Sequence, residues 1–293
     1  MVAAFAAAKV NLYLHVVGRR ADGYHLLDSL IAFADIGDRL TAAPGATLSL
    51  EISGPEAAGL ALARDDNLVL RAARLLAERA GIKAGAALNL DKILPVAAGI
   101  GGGSADAAAA LRLLAQLNGL SLDDERLLEV ALATGADVPV CLASRACDMT
   151  GVGETLMPLS LPIIPCVMVN PCVPVATRDV FDALGLRNGE LLVGATDVFR
   201  GTDWPEAGAS VEDWVEVLAA DTNDLEAPAT RIQPVIGNVI AVLNATNGAW
   251  LARMSGSGAT CFAIYENTAD AGRAAAKIRL DHPDWWVHAG TLS

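Results

Sequence analysis

Cysteine pairs are missing: Cys141, Cys147, Cys166, Cys172 and Cys261 form no C-x-x-C spacing, and no His-rich segment accompanies them. This argues against a zinc site, and the odd count points to reduced thiols in a cytoplasmic protein rather than a disulfide framework. Positive charge is scarce. Against 34 acidic residues stand 21 basic ones, a net charge of -13 with no basic cluster, which argues against nucleic acid and anionic membranes as partners. Unbroken apolar runs are short. The most apolar later stretch, residues 156–175, is interrupted by Pro158, Pro162, Pro165, Pro171 and Pro174 and is not expected to cross a membrane. The opening "MVAAFAAAK" has no basic leader and reads as the lead into a strand rather than a signal peptide. Aromatic residues are only 4% of the chain, so those near a candidate cleft carry weight. No internal repeat is visible. A chain of 293 residues with this composition is expected to be a soluble enzyme of one large domain or two, acting on a small molecule.

Glycine, by contrast, is concentrated. In "LPVAAGIGGGSADAAAALRLL", residues 94–114, Gly99, Gly101, Gly102 and Gly103 precede an alanine-rich helix, with Ser104 as its expected N-cap and Gly119 as its stop. Glycines permit positive φ and close backbone approach, so several N–H groups can converge beside the positive end of the helix. That makes an anion site, with a tight turn as the plain alternative. No lysine follows the glycines, which sets aside the P-loop. The dinucleotide fingerprint G-x-G-x-x-G, started at Gly99, would place its last small residue at Ser104 and does not fit. Asp106 at the helix start either complements the helix dipole or reaches a magnesium ion through water.

Residues 9–17 alternate as a half-buried strand with Lys9, Asn11, Tyr13 and His15 on one face. The turn signal Asp22-Gly23 returns the chain as a neighbouring strand that begins near Tyr24 and His25. "TLSLEI", "AALNLDKIL" and "CVMVN" read as strands, and "WLARMSGSGATCFAIY" as two strands around a Gly-Ser turn. Helices are expected over 66–80, 123–134 (capped by Ser121), 211–219, much of 225–245, and 268–280. Residues 185–210 read as a long surface excursion.

Five segments, "AKVNLYLHVVGRRADGYHLLDSL", "LPVAAGIGGGSADAAAAL", "TGADVPVCL", "GVGETL" and "MSGSGATCFAIY", together resemble the GHMP small-molecule kinases in order and spacing. The resemblance implies an α+β fold of two domains, 1–156 and 157–293, with an ATP-binding cleft between them and a left-handed crossover in the first. It implies transfer of the γ-phosphate of ATP, with Mg²⁺, to the 2-hydroxyl of a methylerythritol carried on a cytidine diphosphate. Lys9 and Asp137 match the catalytic pair. The ATP-phosphate loop is matched by Pro95, Val96, Ala97, Ala98, Gly99, Ile100, Gly101, Gly102, Gly103, Ser104 and Ala105. The family usually has glycines where this chain has Ala97 and Ala98 and a second serine where it has Ala105, which leaves Ser104 or Asp106 as candidate Mg²⁺ ligands. Tyr24, His25, Thr177 and Phe181 match the cytosine pocket, and Asn11 could hold a substrate hydroxyl. Ser255, Gly256 and Gly258 match a supporting loop. The competing expectations are a related kinase for another small alcohol, a nucleotide-binding regulator of the same fold without catalysis and, more weakly, a dinucleotide-dependent oxidoreductase.

Overall fold

A computed structural model describes residues 1–60, 67–82, 85–192 and 204–293; of the expected excursion over 185–210, residues 193–203 lie outside the described residues. The chain forms two compact units. The first comprises Met1–Lys9, Ile36–Val96 and Gly101–Ser144, and the second Val10–Asp35, Ala97–Ile100 and Arg145–Ser293. Packing therefore interleaves segments where the sequence suggests one boundary at 156/157. The reason is local: the strand that opens at His25 finds its partners after residue 145, as described below.

The first unit holds most of β1 (Val2–Asn11), the second half of β3 (His25–Pro44), β4 (Ser49–Ser53) and β5 (Ala86–Asp91). β3 runs antiparallel to β5, from Arg39 opposite Asp91 to Pro44 opposite Ala86, while β4 is parallel to β5. Four helices complete the unit: α1 (Leu68–Ala80), α2 (Gly102–Asn118), α3 (Glu125–Thr134) and α4 (Val138–Ala143). α1 starts on Asn67, whose side chain accepts from the Val69 N–H, and stops at Gly81 in the left-handed conformation. The alanines of α2 allow neighbouring backbones to come close, and Ala107 to Ala110 are fully buried.

Two helix starts differ from expectation. α2 is capped by Gly101 rather than Ser104: Gly101 adopts φ 65°, and Gly102 already lies in the helix. Permissive glycines let the helix begin before the residue with the better capping side chain. α3 begins after Asp124, which accepts from the Arg126 N–H, while the Ser121 hydroxyl accepts from Asp123 N at 3.3 Å, in the preceding turn. α2 stops where glycine reads as the signal, at Gly119 with φ 69°, and α3 also ends on a glycine, Gly135.

In the second unit β2 (His15–Arg19) pairs antiparallel with the first half of β3, and β6 (Cys147–Gly151) pairs with β3 from Leu27 opposite Gly151 to Ile31 opposite Cys147. β6 turns into β7 (Thr155–Pro158). β8 (Ile164–Asn170) lies between β10 (Cys261–Tyr265) and β11 (Trp286–Leu292), with β9 (Ala249–Met254) beyond β10, all antiparallel. The helices are α5 (Thr177–Asp182), α6 (Val211–Leu218), α7 (Glu226–Ile232), α8 (Val235–Asn244) and α9 (Thr268–Asp281). The single helical region expected over 225–245 is two helices, because Pro234 offers no N–H and holds Gln233 in an extended conformation. Val167, Val169, Ile236, Val239, Ala263 and Tyr265 build the core.

A polar latch joins the start of β2 to residues 221–224. The His15 imidazole lies between Asp221 Oδ1 (3.2 Å from Nε2) and Asp224 Oδ1 (3.3 Å from Nδ1), and the Val16 N–H donates to Asp224 Oδ2 at 2.8 Å. Hydrogen bonding to Asp221 and Asp224 raises the His15 pKa to about 9, against the opposing effect of burial. Among the described residues no helix is long and apolar enough to cross a membrane.

Candidate active site

Within the first unit the strand lysine and the loop aspartate meet. Lys9 Nζ donates to Asp137 Oδ2 at 3.0 Å, with the lysine side chain 5% and the aspartate 35% exposed. Asp137 occupies the N-cap position of α4, but its carboxylate makes no capping hydrogen bond; its main-chain oxygen accepts from the Cys141 N–H instead. The carboxylate is thereby left for the ammonium, which is what separates it from an ordinary helix cap. Arg112 braces both partners. Its guanidinium donates to Cys141 O in α4 at 2.8 Å and to Phe5 O in β1 at 3.0 Å, so one α2 side chain spans the elements that carry Asp137 and Lys9. The thiol of Cys141, pushed up to about 12 by burial, stays neutral beside them.

The glycine segment is conformationally demanding in several separate ways. Gly101 takes φ 65°, and a Cβ there would stand 3.1 Å from Lys9 Cβ. Gly99 takes φ 74°, and a Cβ would come within 2.7 Å of the backbone at Ser255 and Gly258. Ala97, where a glycine is usual in the resemblance, sustains φ 54° despite its methyl group. Pro95, Ala98 and Ile100 are buried and Val96 is exposed, while Ser104 is half-buried in the first turn of α2 and Ala105 is buried behind it. The first N–H groups of a 17-residue helix thus follow directly on glycine backbone.

Asp106 is not at the surface. It is 2% exposed, and its Oδ2 accepts from Lys92 Nζ at 3.0 Å; burial raises its pKa, against the pull of that lysine. Lys92 also donates to Asp38 Oδ2. Sequence reasoning missed Lys92, Asp38 and Arg112, since a lysine closing a strand and an aspartate inside one read as solvated residues.

Within the second unit the residues expected around a base form their own group. His25 and Phe181 stack directly, with ring centroids 4.5 Å apart and planes at 28°. The His25 Nε2 is buried without a hydrogen-bond partner among the described residues, and burial lowers its pKa, so the ring is held neutral. Thr177 Oγ1 and Ser257 Oγ are 2.9 Å apart, which ties α5 to the "MSGSGAT" loop. Tyr24 is 60% exposed, and its ring stacks on none of the described rings. Asn11 Nδ2 donates to Ser29 Oγ at 2.8 Å, and the Asn11 N–H donates to Ser255 Oγ at 3.1 Å. Gly256, at φ 55°, leaves 3.3 Å between its would-be Cβ and Asn11 Oδ1, and Gly258 adopts φ 84°. The "MSGSGAT" loop is therefore tied to Asn11 through Ser255, and a side chain at position 256 would press on the Asn11 amide oxygen.

Models of the GHMP kinases match the chain twice, the N terminal domain over residues 67–145 and the C terminal over 206–283. Over 287 residues the chain is 70% identical to the 4-diphosphocytidyl-2-C-methyl-D-erythritol kinase of Bradyrhizobium diazoefficiens, covering 98% of this chain and 96% of that one. The chain belongs to the GHMP kinase family. It is also 65% identical to the kinase of the same name from Nitrobacter hamburgensis, over 98% of this chain and 94% of the other. A solved 4-(cytidine 5'-diphospho)-2C-methyl-D-erythritol kinase superposes with a TM-score of 0.76 at 37% identity, covering 100% of this chain and 99% of that one. A homoserine kinase from Cytophaga hutchinsonii shares the fold, with a TM-score of 0.71 at 19% identity, covering 99% of this chain and 94% of that one. The α+β kinase fold of the family is the fold of this chain, and the dinucleotide oxidoreductase expectation falls with it.

Proposed function

We propose that the chain is an enzyme that transfers the γ-phosphate of ATP to the 2-hydroxyl of 4-diphosphocytidyl-2-C-methyl-D-erythritol, a step of the non-mevalonate route to isoprenoid precursors. The observation that carries this reading is 70% identity, over 98% of the chain, to a kinase of that name. The 3.0 Å contact between Lys9 and Asp137 supplies the chemistry it needs.

Phosphoryl transfer asks a protein mainly for positioning and charge neutralisation. In this reading Asp137 accepts the proton of the attacking hydroxyl, and the Lys9 ammonium, 3.0 Å away, orients that carboxylate and polarises the hydroxyl. Gly99 to Gly103 and the first N–H groups of α2 hold the phosphates. Mg²⁺, when bound, neutralises charge on the β- and γ-phosphates. Of the two candidate ligands, the half-buried hydroxyl of Ser104 fits this ion, while Asp106 is buried, with Oδ2 on Lys92 and Oδ1 without a hydrogen-bond partner among the described residues. The neutral His25, with its unpaired Nε2, suits a hydrogen bond to the cytosine edge, with Tyr24, Phe181 and Thr177 around the base and Asn11 on a substrate hydroxyl. Five free cysteines suit a reducing, cytoplasmic setting.

Labelled ATP assayed with the cytidyl substrate, its uridyl analogue and methylerythritol phosphate without a nucleotide tests the assignment. Strong preference for the cytidyl compound is expected, because buried partners of the base go unpaired when the wrong one enters. Phe181→Ala should raise KM chiefly, by about five- to a hundredfold if one ring–base stack of ~1–3 kcal/mol is lost, with less effect on kcat. Equal turnover of the nucleotide-free alcohol would remove the cytidyl assignment.

A further inference from the structure

Lys92, Asp38 and Asp106 form a buried ion triad below the glycine segment, with side-chain exposures of 3%, 0% and 3%. Lys92 directly follows β5. Its ammonium donates to Asp38 Oδ2 and, at 3.0 Å, to Asp106 Oδ2 in the second turn of α2. The other oxygen of Asp38 accepts the backbone N–H groups of Ile93 at 2.6 Å and Leu94 at 2.8 Å. One carboxylate on β3 thus grips three successive residues, 92 to 94, just ahead of the loop. The lysine main chain is fixed as well, its N–H donating to Ser53 O at 2.8 Å and its oxygen accepting from Glu56 N. Beyond the loop, a Cβ on Gly102 would stand 3.1 Å from Lys92 Nζ, so the ammonium lies against the first residue of α2.

That placement has an electrostatic consequence. A lone cation at the positive end of a helix is unfavourable, and here two carboxylates flank the lysine and offset it. Buried ion pairs are also poor stability devices, since well-packed apolar residues often do as well. What this triad does that an apolar cluster could not is to hold particular N–H groups and a particular helix start at fixed places.

We propose that Lys92, acting through Asp38 and Asp106, is a positioning residue for ATP: it locks the chain entering the glycine loop at Ile93–Leu94 and the helix leaving it at Gly102 to one point on β3. This rests on the kinase reading above. The loop ends then stay where the phosphates need their N–H groups, without the triad touching the nucleotide. Gly102 is small, on this account, because of the ammonium and not because of the phosphate.

The test is steady-state kinetics of Lys92→Met and Asp38→Asn, with ATP varied at saturating alcohol and the reverse, alongside calorimetric titration of ATP. Expected is a rise in the KM for ATP of about tenfold or more in Lys92→Met, the scale of displaced positioning groups, with the KM for the alcohol within about twofold. Asp38→Asn keeps an oxygen for Ile93 and Leu94 and weakens the hold on Lys92, so a smaller rise in the same direction is expected; it carries the test if Lys92→Met does not fold. An unchanged KM for ATP in the folded variants, or equal rises in both KM values, would overturn the proposal while leaving the kinase reading intact. Failure of the unsubstituted protein to bind ATP would overturn both.

Discussion

Lys9 and Asp137 stand 128 positions apart in sequence and 3.0 Å apart in space. If they act on one proton, their losses will not multiply. Asp137→Asn should retain ATP binding and lower kcat by roughly 10²-fold or more, the usual size of a lost general base. The Lys9→Ala, Asp137→Asn double variant should be little worse than the poorer single one. Single-turnover rates measure both, and fully multiplicative losses would show the residues working separately. This pair was readable through the family resemblance of the segments around "AKVN" and "GADVP", since a strand lysine or a loop aspartate by itself reads as a solvated residue or a turn former. Arg112, Asp38 and Lys92 were not readable, since their partners are a main-chain oxygen or a carboxylate supplied by distant elements. Local patterns do not encode such contacts.

Among the elements, α2 shows what sequence can and cannot decide. Its stop at Gly119 and its alanine-rich helical run were legible, whereas its start lies three residues ahead of the serine that looks like its cap. Capping preference is worth about 1 kcal/mol and yields readily to tertiary constraints, here the close quarters around Gly101 and Gly102. Gly101→Val is expected to weaken ATP binding, by at least about tenfold if the loop backbone is displaced by ~1 Å. A β-branched residue opposes φ 65° and would press on Lys9 Cβ and Cε, 3.1 and 3.3 Å from the new Cβ. Titration calorimetry on the folded variant measures this, and unchanged affinity would reduce the glycine to a turn former. The break at Pro234 is legible from the proline itself, which offers no N–H and restricts the residue before it.

For the molecule as a whole, the His15 latch makes stability depend on pH on the alkaline side. The proton on His15 is held more tightly in the folded protein, with a pKa of about 9, than at the ordinary value of 6.5. Its contribution is therefore complete below about pH 6.5 and is lost as pH rises through about 9. Thermal unfolding midpoints of the unsubstituted protein should fall across that window, and those of His15→Gln should fall less. Parallel curves for the two proteins would show that the latch does not titrate as described. Asp221 and Asp224 are the carboxylates on the ring, and Tyr13 packs against its face at 5.2 Å with its hydroxyl on Asp28. The α+β class was legible through the family resemblance, but the interleaving of the units was not, because strand partners separated by more than a hundred residues leave no periodic trace.

That interleaving bears on how the protein is made. When Ser144 has been synthesised, every segment of the first unit exists, whereas Val10–Asp35 still lacks β6, β8 and β11. At ribosomal speeds of about 5–20 residues per second, the remaining 149 residues take roughly 7–30 s to appear. At the start of that interval the stretch carrying Asn11, Tyr24 and His25 has only its own β2–β3 pairing, set between two pieces of a unit whose own chain is already complete. The nascent chain thus has all the residues of its Lys9–Asp137 pair well before those expected to select the substrate have found their neighbours.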